Sequence, residues 1–427
     1  MKIVVALLIF GLIVMIHELG HFLLAKKNGI TVSEFSIGMG PRLFSFVKRG
    51  TRYSLKLFPI GGSCAMGEDD PENLDEGAFN TKNVWARIST IFAGPFFNFV
   101  LAFLLSLIVV GVAGYDPAEV TVVPEKSNAK TAGLQVGDII TEIDGKSVKF
   151  SRDIALYTDL IGISKEPFTI KIIRNGESKT ITYTPSYVKK YMLGFVYSPN
   201  TSEIVSVEAD SAMSDAGVVA GDTITKMNGV ALSADYTLSD YLEEYPLQGE
   251  EVEIEYKHKD NIKTAKLTPR MTELYDLDFN YNDRFVKTDF WSTIRYSFSN
   301  VRYWIEITVR SLGKLVTGQI GTSELGGPVR IVDELGSVVD LKDEIGISNV
   351  ILTLLEWAIL LSANLGVMNL LPIPALDGGR LVFLFIEAVR GKPISREKEG
   401  YVHGIGFILL MILMVFIFFN DIKNIFF

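Results

Sequence analysis

The chain contains one cysteine, Cys64, and only four histidines in 427 residues. A single cysteine excludes an intrachain disulfide framework and any cysteine-based zinc finger. Basic residues do not predominate: 41 Lys and Arg against 50 Asp and Glu give a net charge of −9. A nucleic-acid partner therefore gets no electrostatic support. Charge of either sign is scarce, at 21% of residues, while hydrophobic residues reach 48% and the mean hydropathy is +0.28. A disordered chain lacks that much apolar material, and an ordinary soluble enzyme carries less. Apolar spans joined to a soluble portion fit instead, with room for two to four units at ~150 residues each.

Four stretches satisfy the need for ~20 mostly apolar residues to cross a bilayer. The first runs from Ile3 to Ala25 and the second lies between Arg87 and Asp116. A third lies between Glu356 and Asp377, and the last runs from about Gly404 to Phe419. Lys2 followed by an apolar run resembles a secretory signal peptide. However, the run meets His-Glu-Leu-Gly-His rather than a small-residue cleavage site and then resumes at Phe22–Ala25, so it reads as a retained helix. Lys and Arg concentrate between Lys26 and Arg87 and again between Arg380 and Lys398. By the positive-inside rule both loops face the cytoplasm, which leaves both termini and the segment from about 115 to 350 outside it.

That segment repeats itself. Ala132-Gly133-Leu134-Gln135-Val136-Gly137-Asp138-Ile139-Ile140 returns as Ala216-Gly217-Val218-Val219-Ala220-Gly221-Asp222-Thr223-Ile224, Asp144-Gly145 as Asn228-Gly229, and Thr184-Pro185 as Thr268-Pro269, all offset by 84 residues. The glycines and Asp/Asn-Gly pairs mark tight turns between short strands such as Phe168–Ile173 and Val252–Tyr256. The pattern resembles a PDZ domain, here two in tandem, a fold whose sheet edge can accept a peptide C-terminus. The pair can equally serve as a spacer or size filter. Beyond it, Arg295, Arg302, Glu306, Arg310 and Lys314 form one polar stripe within Phe290 to Ile320. This predicts an amphipathic helix on the membrane surface or against the repeats.

The chemistry centres on His17-Glu18-Leu19-Gly20-His21. On a helix, positions i and i+4 share a face, so both imidazoles can bind one metal ion, and Glu18 can act as general base on a water there. Ionisable residues inside a span cost at least ~2.5–3.5 kcal/mol each on insertion scales, so packing alone does not explain three in five positions. A third ligand must leave one coordination position open. Asp377 is the best candidate, because Pro372 and Pro374 just before it break the helix, and open backbone at membrane depth implies a protein-lined or watery cavity.

With these motifs in place, the chain resembles a site-2 protease family intramembrane metalloprotease of the bacterial regulator of sigma-E protease type. The resemblance covers nearly the whole chain: HELGH, Phe35–Pro41, Ala93-Gly94-Pro95-Phe96-Phe97-Asn98, the paired repeats, Gly327-Pro328-Val329 and Asn369-Leu370-Leu371-Pro372-Ile373-Pro374-Ala375-Leu376-Asp377-Gly378-Gly379. It implies zinc ligands His17, His21 and Asp377 with Glu18 as catalytic acid/base, one Zn2+ per chain. Fe2+ is the less favoured ion for the same donors. It further implies substrate-handling roles for Asn369, Pro372 and Pro374 and for a re-entrant edge strand at Phe58, Pro59, Ile60, Gly61 and Gly62. No position in these motifs departs from the pattern.

The expected architecture is a polytopic α-helical membrane protein with four transmembrane helices and two extracytoplasmic α+β PDZ domains in tandem. The expected divisions are 1–114 and 346–427 for the membrane halves, 115–196 and 197–272 for the PDZ domains, and 273–345 for an amphipathic linker region. Located in the bacterial cytoplasmic membrane, it would cleave single-span membrane proteins such as anti-sigma factors or remnant signal peptides, with its active site toward the cytoplasm. A metal transporter would place polar residues along a whole pathway, but the second and fourth spans offer little beyond Asn98 and His403. A non-catalytic PDZ scaffold leaves HELGH unexplained. His403 reads as interfacial, His258 as part of a solvated charged turn, and Cys64 as structural.

Overall fold

The computed structural model describes residues 2–67, 75–198, 201–208, 210–233, 235–259, 261–281, 284–317 and 326–426. The chain forms two compact units, one of Met1–Pro117 with Arg284–Ile425 and one of Ala118–Asp283. Among the described residues, four helices are long and apolar enough to cross a membrane: Lys2–Lys27, Val84–Ala113, Ile347–Leu370 and Glu397–Ile422.

In the first unit, helix α1 is Lys2–Lys27, followed by strands β1 (Glu34–Lys48) and β2 (Thr51–Ala65) and helix α2 (Val84–Ala113). At 1.5 Å per residue, α1 and α2 each exceed the ~30 Å of hydrocarbon. Asn83 caps α2 by accepting the Ala86 N–H at 2.8 Å. After the insert come α3 (Phe290–Val316), α4 (Pro328–Asp340), α5 (Ile347–Leu370), α6 (Asp377–Arg390) and α7 (Arg396–Phe426). The third span thus begins earlier than the sequence suggested, and Glu356 lies inside α5. The segment through Ile320 that was expected to be helical ends at Val316, and residues 318–320 lie outside the described residues.

Lipid is as apolar as leucine, so close packing and polar contacts, not the hydrophobic effect, favour association of the spans. Ile13 of α1, Leu101, Ala102, Leu105 and Val109 of α2, Val301 of α3, and Ala358 and Ile359 of α5 form one packed cluster. Helix α3 is a correction to the surface placement expected above, because its inner face docks on α2 and α5. Asn300 Nδ2 donates to Ser106 Oγ at 3.0 Å and to Glu356 at 3.2 Å, and Trp304 Nε1 donates to Glu356 Oε2 at 3.4 Å. Ser297, Asn300, Val301 and Thr308 are buried, and the Phe103 and Phe298 rings meet at 4.2 Å. Each interhelical hydrogen bond of this kind contributes about 0.6–2 kcal/mol. Those small polar residues, rather than the outward Arg stripe, determine where α3 sits.

The β1–β2 hairpin folds back on itself. Phe46 lies opposite Tyr53 near the turn, whereas Ile37 lies opposite Gly62 and Phe35 opposite Cys64. Residues Glu34–Ile37 also face Arg52–Leu55, so they are flanked on both sides. Gly62–Ala65 consequently forms an edge among the described strands. Glu34 anchors the fold-back: Arg42 donates to both its oxygens at 2.8 and 2.9 Å and Ser54 Oγ at 2.5 Å. Arg42, then Ser54, hold its carboxyl down to about 2. The buried Cys64 packs with Ala25, Ile30, Ile88 and Leu381, joining the hairpin to α1, α2 and α6.

In the second unit, the sheet order is Lys146–Ser147, Ile139–Ile143, Phe168–Arg174, Glu177–Tyr183 in the first repeat. The order is Val230–Ala231, Thr223–Met227, Val252–His258, Asn261–Leu267 in the second, so every strand starts 84 residues after its counterpart. Each repeat has its own buried core, around Ile140, Ile170 and Ile172 in one and Ile224, Met227 and Ile254 in the other. Fully burying each such side chain from water contributes about 1.5–3 kcal/mol. The repeats also exchange chain. Ser186–Met192 pairs antiparallel with its own counterpart, Arg270–Asp276. Val120–Val122 then pairs with Asn280–Tyr281 from beyond the second repeat, and Ile204–Val207 with Phe195–Tyr197 from beyond the first. His258 is not in a solvated turn: it ends a strand, and its Nδ1 lies 2.7 Å from Oδ1 of the buried Asp222. Asp260 of that charged run lies outside the described residues.

Candidate metal centre

Helical periodicity places His17 and His21 on the face of α1 that meets α2, where both are buried. The close approach requires small residues. A Cβ on Gly20 would lie 2.3 Å from the Ala93 carbonyl oxygen, and one on Gly94 would lie 2.3 Å from His21 Nε2 and 2.8 Å from His17 Cε1. Gly94 of α2 is therefore the floor of the site. Asp377 arrives as the first residue of α6, where a carboxylate is favoured by the helix N-terminus. The Arg87–Glu387 ion pair fixes α6 to α2, with Arg87 Nη1 donating at 3.1 Å.

His17 Nε2 lies 3.2 Å and His21 Nε2 3.4 Å from Asp377 Oδ2, and the two Nε2 atoms are 3.2 Å apart. Oδ2 is buried and, although close to both rings, accepts no well-aligned hydrogen bond from either. Three acceptors thus converge on one point. Tetrahedral zinc with bonds of about 2.0–2.1 Å would separate its ligands by roughly 3.3–3.4 Å, so the triangle suits that ion and leaves a fourth position open. The donor set of two imidazoles and a carboxylate fits zinc as well.

The outer partners set the ring tautomers. His21 Nδ1 donates to the Thr90 carbonyl at 2.9 Å, which can only accept, so its Nε2 presents a lone pair. His17 Nδ1 lies 3.1 Å from the Asn98 side-chain amide, whose Oδ1 is buried without a partner. With that amide turned so that Oδ1 faces the ring, His17 Nδ1 donates to it and Nε2 is likewise a ligand atom. Ser362 Oγ donates to the Asn98 backbone carbonyl at 2.8 Å, tying this arrangement to α5.

Glu18, half-buried, faces the hairpin edge. The Cys64 main chain hydrogen-bonds its carboxylate, and a Cβ on Gly62 would lie 3.1 Å from Glu18 Cγ. The segment Phe58–Gly62 is in β2, with Phe58 opposite Met39 and 55% exposed and Gly61 at φ +82°. Pro59 and Ile60 continue the strand backbone. Asn369 is in the last turn of α5, Pro372 is exposed in the following loop, and Pro374 contacts α7 at Gly406. The structure thus gathers His17, His21 and Asp377 into one cluster with Glu18 and Gly62 beside it. Sequence reading assigned no role to Thr90, Gly94 or Asn98. A backbone carbonyl leaves no sequence signal, but a glycine and an asparagine inside an apolar span do.

Comparison with known proteins places the chain among zinc metalloproteases by similarity. The model of peptidase family M50 matches residues 5–413. Zinc metalloprotease RasP of Bacillus licheniformis is 34% identical over 98% of each chain, and regulator of sigma-W protease RasP of Bacillus subtilis is 33% identical over 98% of each. Regulator of sigma E protease of Salmonella typhi is 30% identical over 97% of this chain and 96% of its own. With a family match over residues 5–413 and relatives above 30% identity along nearly their whole length, the conclusion is that this protein belongs to peptidase family M50.

Proposed function

We propose that the protein is an intramembrane zinc metalloprotease that hydrolyses peptide bonds in or near the membrane-spanning segment of single-span membrane proteins. The observation that carries the reading is the meeting of three acceptors, His17 Nε2, His21 Nε2 and Asp377 Oδ2, within 4.8 Å of one another. His17, His21 and Asp377 hold the ion, which when bound supplies Lewis acidity toward a carbonyl and acidifies a water. Glu18 takes the water proton and delivers it to the leaving amine. The Cys64 amide holds that carboxylate against the hairpin edge.

A helical substrate hides its peptide bonds and must unwind, which leaves backbone groups that lipid cannot satisfy. The open edge beginning at Gly62, with Phe58–Gly61 leading into it, offers those groups strand pairing beside Glu18. Asn369, Pro372 and Pro374 shape the opposite wall of the path. The Lys- and Arg-rich loops put the hairpin and α6 on the cytoplasmic side of the inner membrane, with both termini and the repeats outside. The repeats are PDZ domains, either recognising peptide C-termini or restricting access by size. The candidate substrates, anti-sigma factors and remnant signal peptides, share a single span.

The decisive test is Glu18→Gln in lipid, assayed for bound zinc and for cleavage of a single-span reporter. Zinc content is expected to be unchanged and cleavage to fall at least about 100-fold, the scale of losing a general base. Cleavage at the wild-type rate would refute the assignment.

A further inference from the structure

We propose that His403 of α7 is a positioning residue for Asp377, acting through the backbone of Ala375. This rests on the reading of Asp377 as a metal ligand. Between the end of α5 at Leu370 and the start of α6 at Asp377, the chain turns through Pro372 and Pro374. Ala375 has φ +77°. Left-handed backbone is disfavoured for any residue with a Cβ, and Asn or Asp usually compensates with local hydrogen bonds. Five of the nine non-glycine residues with positive φ in the described chain are Asn or Asp, and alanine has no such group. The compensation here comes from another helix: the Ala375 N–H donates to His403 Nδ1 at 2.8 Å.

The same face of α7 seats the preceding residue. A Cβ on Gly406 would lie 2.4 Å from Pro374 Cβ and 2.7 Å from its carbonyl oxygen. The His403 ring also rests on Phe383 of α6, with centroids 5.6 Å apart. Helix α7 therefore grips Pro374 and Ala375, immediately before the ligand, although only 6% of its most apolar stretch is buried. Strained backbone next to a site persists when its surroundings over-determine it, and His403 is the polar part of that restraint. Without it, the loop relaxes and the Asp377 carboxylate leaves the point where the imidazoles converge.

The full-length protein in lipid would be tested by zinc affinity against a competing chelator, with reporter cleavage measured alongside. His403→Phe keeps a ring against Phe383 but removes the acceptor, and zinc affinity is expected to fall about tenfold or more, the scale of losing an outer-shell partner. His403→Asn places Oδ1 near the position of Nδ1 and is expected to recover most of that affinity. Ala375→Gly removes the strain, so introduced into His403→Phe it is also expected to restore affinity. Wild-type affinity in His403→Phe, or failure of both rescues, would overturn the proposal. Asp377→Asn serves as control. If it keeps zinc, the ligand assignment itself falls, whereas if it loses zinc while His403→Phe does not, only the role of His403 falls.

Discussion

In the repeat unit, Asp138 is 1% exposed and saturated: Arg174 donates to both its oxygens at 2.7 and 2.6 Å and the Gln135 amide at 2.9 Å. Its counterpart 84 residues on, Asp222, is held by His258 at 2.7 Å and the Val219 amide at 3.1 Å. In the membrane unit, Asp377 Oδ2 meets two imidazole nitrogens and accepts no hydrogen bond. The first two carboxylates are duplicated, donor-filled and structural, since burial of a charge is tolerated once it is paired. The third occurs once and has two imidazole nitrogens, rather than amide or guanidinium donors, about its buried oxygen, a donor set that suits a cation. Close contact with neighbouring side chains alone would have ranked all three alike, and it is the kind of neighbour that separates scaffold from chemistry.

The contrast can be tested by substitution. Gly94→Val should have the largest effect, because its side chain would occupy the space of the His21 and His17 rings. Zinc content by metal analysis should drop to background while helical content is kept, and normal zinc loading would break the account of the site's floor. Gly62→Val, which crowds the Ser36 carbonyl and Glu18 at 3.0 and 3.1 Å, should leave zinc in place and slow reporter cleavage roughly ten- to a hundredfold through misplacement. Unchanged cleavage would remove the edge strand from the mechanism. Asp138→Asn should have the smallest effect on chemistry: about 1–3 kcal/mol of stability lost by the repeat unit, read by denaturant melting, with zinc content unaltered. A loss of zinc there would erase the distinction between the two regions.

Much of this was legible beforehand, for identifiable reasons. HELGH stands out because charges are costly in an apolar span, and Asp377 because two prolines forbid a continuous helix before it. The repeat is visible through a constant offset, since equivalent turns need equivalent glycines. The exchange of strands between repeats is not visible, because it mainly pairs segments about 80 residues or more apart and leaves no local pattern in either strand. The docking of α3 is hidden because its charged stripe dominates the pattern, whereas the inward Asn300 and Thr308 matter only opposite Ser106, Glu356 and Asn364. His258 was misread because its partner lies 36 residues away. Thr90 contributes a main-chain carbonyl that any residue could supply.

Zinc K-edge absorption spectroscopy on the protein in lipid tests the central claim most directly. The account predicts a single light-atom shell at about 2.0–2.2 Å with the outer scattering of two imidazoles, one of which disappears in His21→Ala. A spectrum without imidazole scattering, or one unaltered by that substitution, would contradict it.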